Sequence, residues 1–367
     1  MRKYLTKFLL LVLVPFLFLG CNDKKDEEIK IGFVAGLSGK YSALGISIRD
    51  GFTLAFDEIH YKINGKKVKI IQKDDKQDPI QAKKVITSLV DDGIKIIVGN
   101  STSSMTAISL PIVNKQKNVL LFSATASSGD FTKKDDNFIR LQVEQNEKRY
   151  TALHKYIQKQ KYKDIFFIYD SKNMSYAKGF LSFFQDMIIE SGGKFTDKID
   201  LNSPYEKIIT KLNASKHDLI LIVGNSVDTA NIIQYIKLHN IKSKILATGW
   251  AKTIDFIKNG GKAVEGVLFS TGYDDNSKDK AFLNFVKNFK KKYKKQPSVF
   301  SAQGYELAQI LIENLRISTD ESTLKERILK RKKYNGLQGD IIFDKYGDVY
   351  RKYFMVEIRN AKYEKLD

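Results

Sequence analysis

The sequence predicts an α/β protein of two doubly wound lobes with mainly parallel sheets, and three observations point there. Short apolar runs alternate with stretches of helical period from Ile29 to about Phe122. After an extended segment at Phe138–Val143 the alternation restarts and runs to about Ser270. Two neighbouring strands of the first series, Ile94–Val98 and Val119–Phe122, each end in a hydroxyl-rich turn: Gly99-Asn100-Ser101-Thr102-Ser103-Ser104 and Ser123-Ala124-Thr125-Ala126-Ser127-Ser128. In open α/β sheets ligands sit outside the carboxyl ends of the strands, so two such ends side by side point to a polar small-molecule site. Either turn alone is ordinary cap and turn chemistry.

In the first series, Ile29–Ala35 reads as a strand, and a glycine-bearing turn, Gly36 to Gly45, leads into a helix ending near Ile59. That turn is not GxGxxG, so a dinucleotide site finds little support. Asn64-Gly65 is a hairpin signal before the strand Val68–Gln72. Asp74, Asp75 and Asp78 lack the rest of a calcium loop, and Asp78-Pro79 reads as a cap and first helical residue. The next helix carries Ala82, Val85, Ile86, Leu89 and Val90 on one face and closes at Gly93.

The second series reads as helix Asn146–Gln160, strand Ile165–Tyr169, a helix to Ser191, strand Lys194–Ile199, helix Tyr205–Ser215, strand Leu219–Val223, a helix to His239, and strand Lys244–Thr248. Strand Val264–Ser270 and helices Lys278–Lys295, Phe300–Ile317 and Ser322–Lys332 follow. The end is antiparallel in character: Gly339–Phe343, a turn at Asp344 to Asp348, then Val349–Arg359. No period of repeat length recurs.

Composition narrows the function. Hydrophobic residues make up 43% of 367 and prolines number only 5, which fits a folded chain. The net charge of +20 raises nucleic acid and acidic membranes as partners, yet the lysines are spread along the chain and no aromatic-interleaved basic motif appears. The densest run, Lys287 to Lys295, reads as a solvated helix end favoured by the helix dipole. His60, His154, His217 and His239 form no ligand pair, and a single cysteine excludes an internal disulfide and a CxxC site. No metal, cofactor or nucleophilic pair is expected, hence no enzyme.

The N-terminus reads as an address. Arg2, Lys3 and Lys7 precede the apolar run Phe8–Leu19, too short for a comfortable membrane span but suited to a signal-peptide core. The run ends in Leu19-Gly20-Cys21, which resembles the bacterial lipobox, with Cys21 as the lipid anchor and residues 22–28 as a charged tether. That puts the chain outside the cytoplasmic membrane, in the periplasm or at the cell surface, and argues against nucleic acid as partner.

Three segments, IKIGFVAGLSGKYSALGISIRDGFTLAFDEI, DDKQDPIQAKKVITSLVDDGIKIIVGNSTSS and LLFSATASSGDFT, stand in an order and spacing that resemble the type I periplasmic solute-binding proteins, in particular the branched-chain amino acid (leucine/isoleucine/valine) receptors of ABC importers. The likeness runs from about Ile29 to Ile358. It implies two lobes joined by three crossovers, here 29–143 with 273–337 and 144–272 with 338–367, closing on a small ligand that passes to an importer permease. It also implies site residues: Ser103, with Ser104 beside it, for a ligand carboxylate; Thr125 and Ser127 in the second turn; Tyr176 closing from the second lobe. Leu44 stands where an aromatic wall is common, and Tyr305 lies near a crossover helix. The family's amino-acid receptors place an acid in the turn after the strand 244–248, where this chain has Trp250. Either Asp228 at the neighbouring strand end supplies the anion, or the ligand lacks an ammonium group and Trp250 stacks on an apolar or aromatic body. Trp250 as core and Asp228 as helix-cap residue are the plainer alternatives. The functions that remain are an importer's receptor for an amino acid or small carboxylate and a sensor lipoprotein of the same fold.

Overall fold

The computed structural model describes residues 28–366; the lipobox cysteine and signal-peptide core expected at residues 1–21 lie outside them. The first series forms β1 (Ile29–Ala35), α1 (Ser42–Glu58), β2 (Lys62–Ile63), β3 (Lys66–Asp74), α2 (Pro79–Asp91), β4 (Ile96–Val98), α3 (Ser103–Val113), β5 (Leu120–Ser123) and β6 (Phe138–Arg140). These strands make a six-stranded sheet in the order β2-β3-β1-β4-β5-β6, parallel except for β2. Local chemistry sets its elements. The Asp78 carboxylate accepts the Gln81 N–H at 2.8 Å and Pro79 opens α2, as cap and first-turn preferences require.

The second series forms α4 (Glu147–Gln160), β7 (Asp164–Tyr169), α5 (Met174–Glu190), β8 (Lys194–Asp200), α6 (Tyr205–Asn213), β9 (Leu219–Val223), α7 (Ser226–Leu238), β10 (Lys244–Ala247), α8 (Ile254–Gly260) and β11 (Leu268–Thr271). All of β9, LILIV, is buried, the mark of a parallel strand covered on both faces. The chain continues through α9 (Lys280–Tyr293), α10 (Val299–Ile317), α11 (Leu324–Arg331), β12 (Lys333–Gly336), β13 (Gly339–Phe343), β14 (Val349–Tyr350), β15 (Phe354–Arg359) and β16 (Lys362–Lys365). The second sheet runs β16-β15-β11-β10-β9-β7-β8, its last two strands in sequence antiparallel.

Late helices return to the first lobe. α10 lies against α1 at backbone distance: a Cβ on Gly51 would stand 1.8 Å from the Ser301 carbonyl oxygen, and one on Gly304 2.2 Å from that of Ile48. Only glycine allows that approach. The hairpin β12–β13 and the short β14 form a separate three-stranded sheet on the same side. The Tyr334 hydroxyl meets Asn314 Nδ2 at 3.0 Å, and Asp348 pairs with the buried Arg140 at 2.6 Å.

The boundary expected at 337/338 therefore falls inside a hairpin, and the chain enters the second sheet only at β15. The strand expected over Val349–Arg359 is broken at residues 351–353, where Arg351 pairs with Glu306 at 2.6 Å and the Tyr353 hydroxyl donates to Gln142 Oε1 at 2.6 Å. The strand expected from Val264 begins at Leu268, after a 3₁₀ turn at Gly261–Val264.

Candidate functional site

A cleft lies where the two sheets present their strand ends to one another. On the first-lobe side, β4 runs out at Val98, and Gly99 takes φ 147° with its α-carbon so near Val34 that a Cβ would meet the Val34 oxygen at 2.3 Å. Thr102 then caps α3 without a side-chain cap bond, because its hydroxyl donates to Gln77 Oε1 at 2.9 Å. The first turn of a helix left so is suited to an anion. Ser103 Oγ accepts the N–H groups of Ser127 and Ser128 at 3.1 and 3.2 Å, and Thr125 Oγ1 donates to the Ser101 carbonyl at 2.6 Å. The two hydroxyl turns are thus one hydrogen-bonded unit. With both lone pairs of Ser103 engaged, its own proton is available to a ligand.

On the second-lobe side, the first turn of α4 brings in Arg149, which is 4% exposed. Its Nη1 donates to the Val143 carbonyl at 2.7 Å, and its guanidinium lies 5.2 and 4.9 Å from the Tyr150 and Tyr353 ring centres. Its Nε has no partner, and it makes no ion pair among the described residues. A buried cation without an anion is costly. Trp250, from the 3₁₀ turn Gly249–Ala251 after β10, stacks on Tyr41 of the first lobe (6.2 Å, 11°) and meets Tyr176 edge-on (6.1 Å, 79°). Burial raises the Tyr176 phenol pKa, so its hydroxyl stays protonated.

The crossover segments close the far end. Lys252 is ion-paired with Asp275, and Arg351 with Glu306. Tyr273, Gln303 and Ser270 line the cleft with buried polar atoms that have no partner. Among the described residues no Asp or Glu lines the cleft, and no group of three or more His, Cys, Asp or Glu side chains gathers as a metal site.

The sequence-predicted residues divide. Leu44, Ser103, Thr125, Ser127, Tyr176 and Trp250 line this one cleft. Ser104, Asp228 and Tyr305 do not. Ser104 bridges the lobes instead, its N–H donating to Asn173 Oδ1 and its hydroxyl accepting the Ser175 N–H, both at 3.1 Å. Asp228 is held at the rim by Lys40 of the first lobe at 2.7 Å and by Asn225 Nδ2 at 2.8 Å. Tyr305 donates to Glu58 Oε2 at 2.6 Å between α10 and α1, away from the cleft. Residue patterns had not pointed to Arg149, Tyr273, Gln303 or Arg351. For Arg149 a signal existed: it is the third residue after the cap Asn146, in a helix first turn where the dipole disfavours a cation.

A model of the periplasmic binding protein family matches residues 28–363. The Leu/Ile/Val-binding protein of Escherichia coli K12 is 24% identical over 337 residues, 89% of this chain and 90% of that protein. Among solved structures, a leucine binding protein of Thermotoga maritima superposes with a TM-score of 0.85 at 22% identity, covering 92% of this chain and 98% of that one. A solute binding protein of an ABC transporter from R. palustris, solved with benzoate, superposes at 0.84 and 18% identity, covering 93% and 96%. At such identities the superpositions establish the shared fold.

Proposed function

We propose, for a chain that belongs to the periplasmic binding protein family, type I, in the branch of the branched-chain amino acid receptors, that its cleft captures a small carboxylate lacking an α-ammonium group. Membership makes the chain a solute-binding protein and not an enzyme, and puts its work outside the cytoplasm. Capture by closure of the lobes, anchoring through a lipid on Cys21 and hand-over to an ABC importer permease complete the proposal. A sensor of the same fold is the alternative that the site leaves equal.

The observation that carries the ligand class is the charge pattern of the cleft. Among the described residues Arg149 is a buried cation with no carboxylate partner, and no acid lines the cleft to receive an ammonium group. A ligand carboxylate between Arg149 and the Ser103 turn would supply the missing anion. The aromatic wall of Trp250 and Tyr176, with Tyr41 stacked on Trp250, suits an apolar or aromatic body. A relative solved with benzoate is consistent with such a ligand; the Leu/Ile/Val-binding relatives keep the amino acid as the competing one.

Thermal-shift screening of aliphatic acids, aromatic acids and amino acids tests the carboxylate. A ligand at 100 times its Kd stabilises by about 2.7 kcal/mol, and no shift with any carboxylate would overturn the assignment. On the best hit, Trp250→Ala is expected to abolish the shift and Asp228→Asn to leave most of it. The reverse pattern would restore an amine-bearing ligand.

A further inference from the structure

The hinge end of the cleft holds a second concentration of hydrogen-bonding groups that the carboxylate does not use. Tyr273 sits on the crossover that follows β11, Gln303 on the first turns of α10, and Arg351 on the crossover between β14 and β15, and all three line the cleft. The Tyr273 hydroxyl, Gln303 Oε1 and Arg351 Nε are buried and without a partner. These side chains are 3%, 5% and part-exposed respectively, so water at the surface does not serve them all. Buried polar atoms without partners are uncommon in folded proteins and call for an explanation. Here an acceptor (Gln303 Oε1), a donor (Arg351 Nε) and a group that is both (Tyr273 hydroxyl) belong to side chains that line one cleft.

Charge decides what that space takes. The Arg351 guanidinium is matched by Glu306, whose oxygens lie 2.6 and 3.4 Å from it and whose Oε1 also accepts the Leu337 N–H at 2.7 Å. Lys252 is matched by Asp275 and packs 4.2 Å from the Tyr363 ring centre. The cations of the hinge end are thus neutralised from behind, whereas Arg149 is not. A second carboxylate would enter a neutral, buried region without a free cation. A neutral group that both donates and accepts fits the orphan set.

We propose that the hinge end is a hydroxyl subsite formed by Tyr273, Gln303 and Arg351, so that the ligand is a monocarboxylate with a hydroxyl group at its distal end. The ligand hydroxyl donates to Gln303 Oε1 and accepts from Tyr273 or Arg351. This rests on the carboxylate assignment above. A site built to bond a hydroxyl discriminates strongly against the analogue that lacks it, because its own groups are then left buried and unpaired.

Isothermal titration of the purified mature protein with matched acids is the test: benzoate, 3- and 4-hydroxybenzoate and terephthalate as one series, pentanoate, 5-hydroxypentanoate and glutarate as the other. In at least one series a hydroxy acid is expected to bind about tenfold to a hundredfold more tightly than both its parent and its dicarboxylate. Tyr273→Phe, which removes only the hydroxyl, and Gln303→Leu are each expected to bring the hydroxy-to-parent ratio towards one. Ligand-free melting curves of both variants check that each is folded, and the ratio is read from the folded ones. Parent acids binding as tightly as the hydroxy acids would overturn the subsite and leave the carboxylate assignment standing, as would a hydroxyl preference that survives in both variants. A preferred dicarboxylate would overturn the neutral-group assignment. Failure of every acid to bind would remove the carboxylate assignment and the subsite with it.

Discussion

The two walls of the cleft are built on opposite principles. The first-lobe wall is neutral and the hydroxyls of Ser103, Thr125 and Thr102 are satisfied within it: they bond the Ser127 turn, the Ser101 carbonyl and Gln77, and the ligand meets hydroxyls and N–H groups already in position. The opposite wall, made by the second lobe, the crossovers and the first turns of α10, is charged, aromatic and unsatisfied, with Arg149, Tyr273, Gln303 and Arg351 each carrying a buried atom without a partner. The comparison teaches a division of labour. One wall is organised before the ligand arrives, and the other is completed by it. Ligand binding should therefore stabilise chiefly the second wall, and substitutions in the two walls should differ in sign as well as in size.

The largest effect is expected at Arg149. Arg149→Gln removes an uncompensated buried cation, so the ligand-free protein should melt at a higher temperature while affinity for a carboxylate falls about tenfold to a hundredfold, the size of a charge-assisted bond. Melting curves with and without the best acid give both numbers. A ligand-free variant less stable than the parent protein would mean that the Val143 bond and the tyrosine contacts outweigh the missing anion.

Ser103→Ala acts in the opposite sense. It leaves the Ser127 and Ser128 N–H groups without their acceptor, and should destabilise even the ligand-free protein by about 1–3 kcal/mol while weakening binding. An unchanged melting temperature would show that the first wall is not the preorganised unit described.

A smaller effect, in pH dependence alone, is expected at Asp75 behind the first wall. Its carboxylate accepts Asn100 Nδ2 at 2.8 Å and the Gln77 N–H at 2.9 Å, yet burial raises its pKa above the usual carboxylate value. A carboxyl group whose pKa is higher folded than unfolded leaves the folded state with more bound protons. It favours the fold most below the unfolded value of about 3.9, and that advantage is lost as pH rises through the folded value. The melting temperature of the wild type relative to Asp75→Asn should therefore fall as pH rises from about 4 towards neutrality. A pH-independent difference would contradict the buried, raised carboxyl.

How much of this was legible in the sequence follows the same division. The first wall was readable because each of its turns is contiguous: a buried strand, a hydroxyl run and a helix start stand within a few residues, and Asp78-Pro79 marks the neighbouring helix in the same local way. The second wall comes from four separate places, the start of α4 at Arg149 and the crossovers and α10 at Tyr273, Gln303 and Arg351. No spacing rule joins positions so far apart. Their meaning depends on burial, and on which acids stand behind which cations. Asp228 misled for a related reason: an acid at a strand end reads as a ligand group, and only the partner across the cleft mouth, Lys40, reveals a rim contact. The final lobe boundary misplaced at 337/338 has another cause, since a hairpin and a strand that crosses between lobes share the same alternating pattern.

Calorimetry on the wild-type protein with two matched pairs, leucine against 4-methylpentanoate and phenylalanine against 3-phenylpropanoate, tests the central claim most directly. Each pair differs by the α-ammonium group, which has no acid to meet in this cleft. Tighter binding of the deaminated acid in at least one pair is the result predicted, by about tenfold or more for a buried ammonium left unpaired. Tighter binding of the amino acid in both pairs, or binding of amino acids alone, would contradict it.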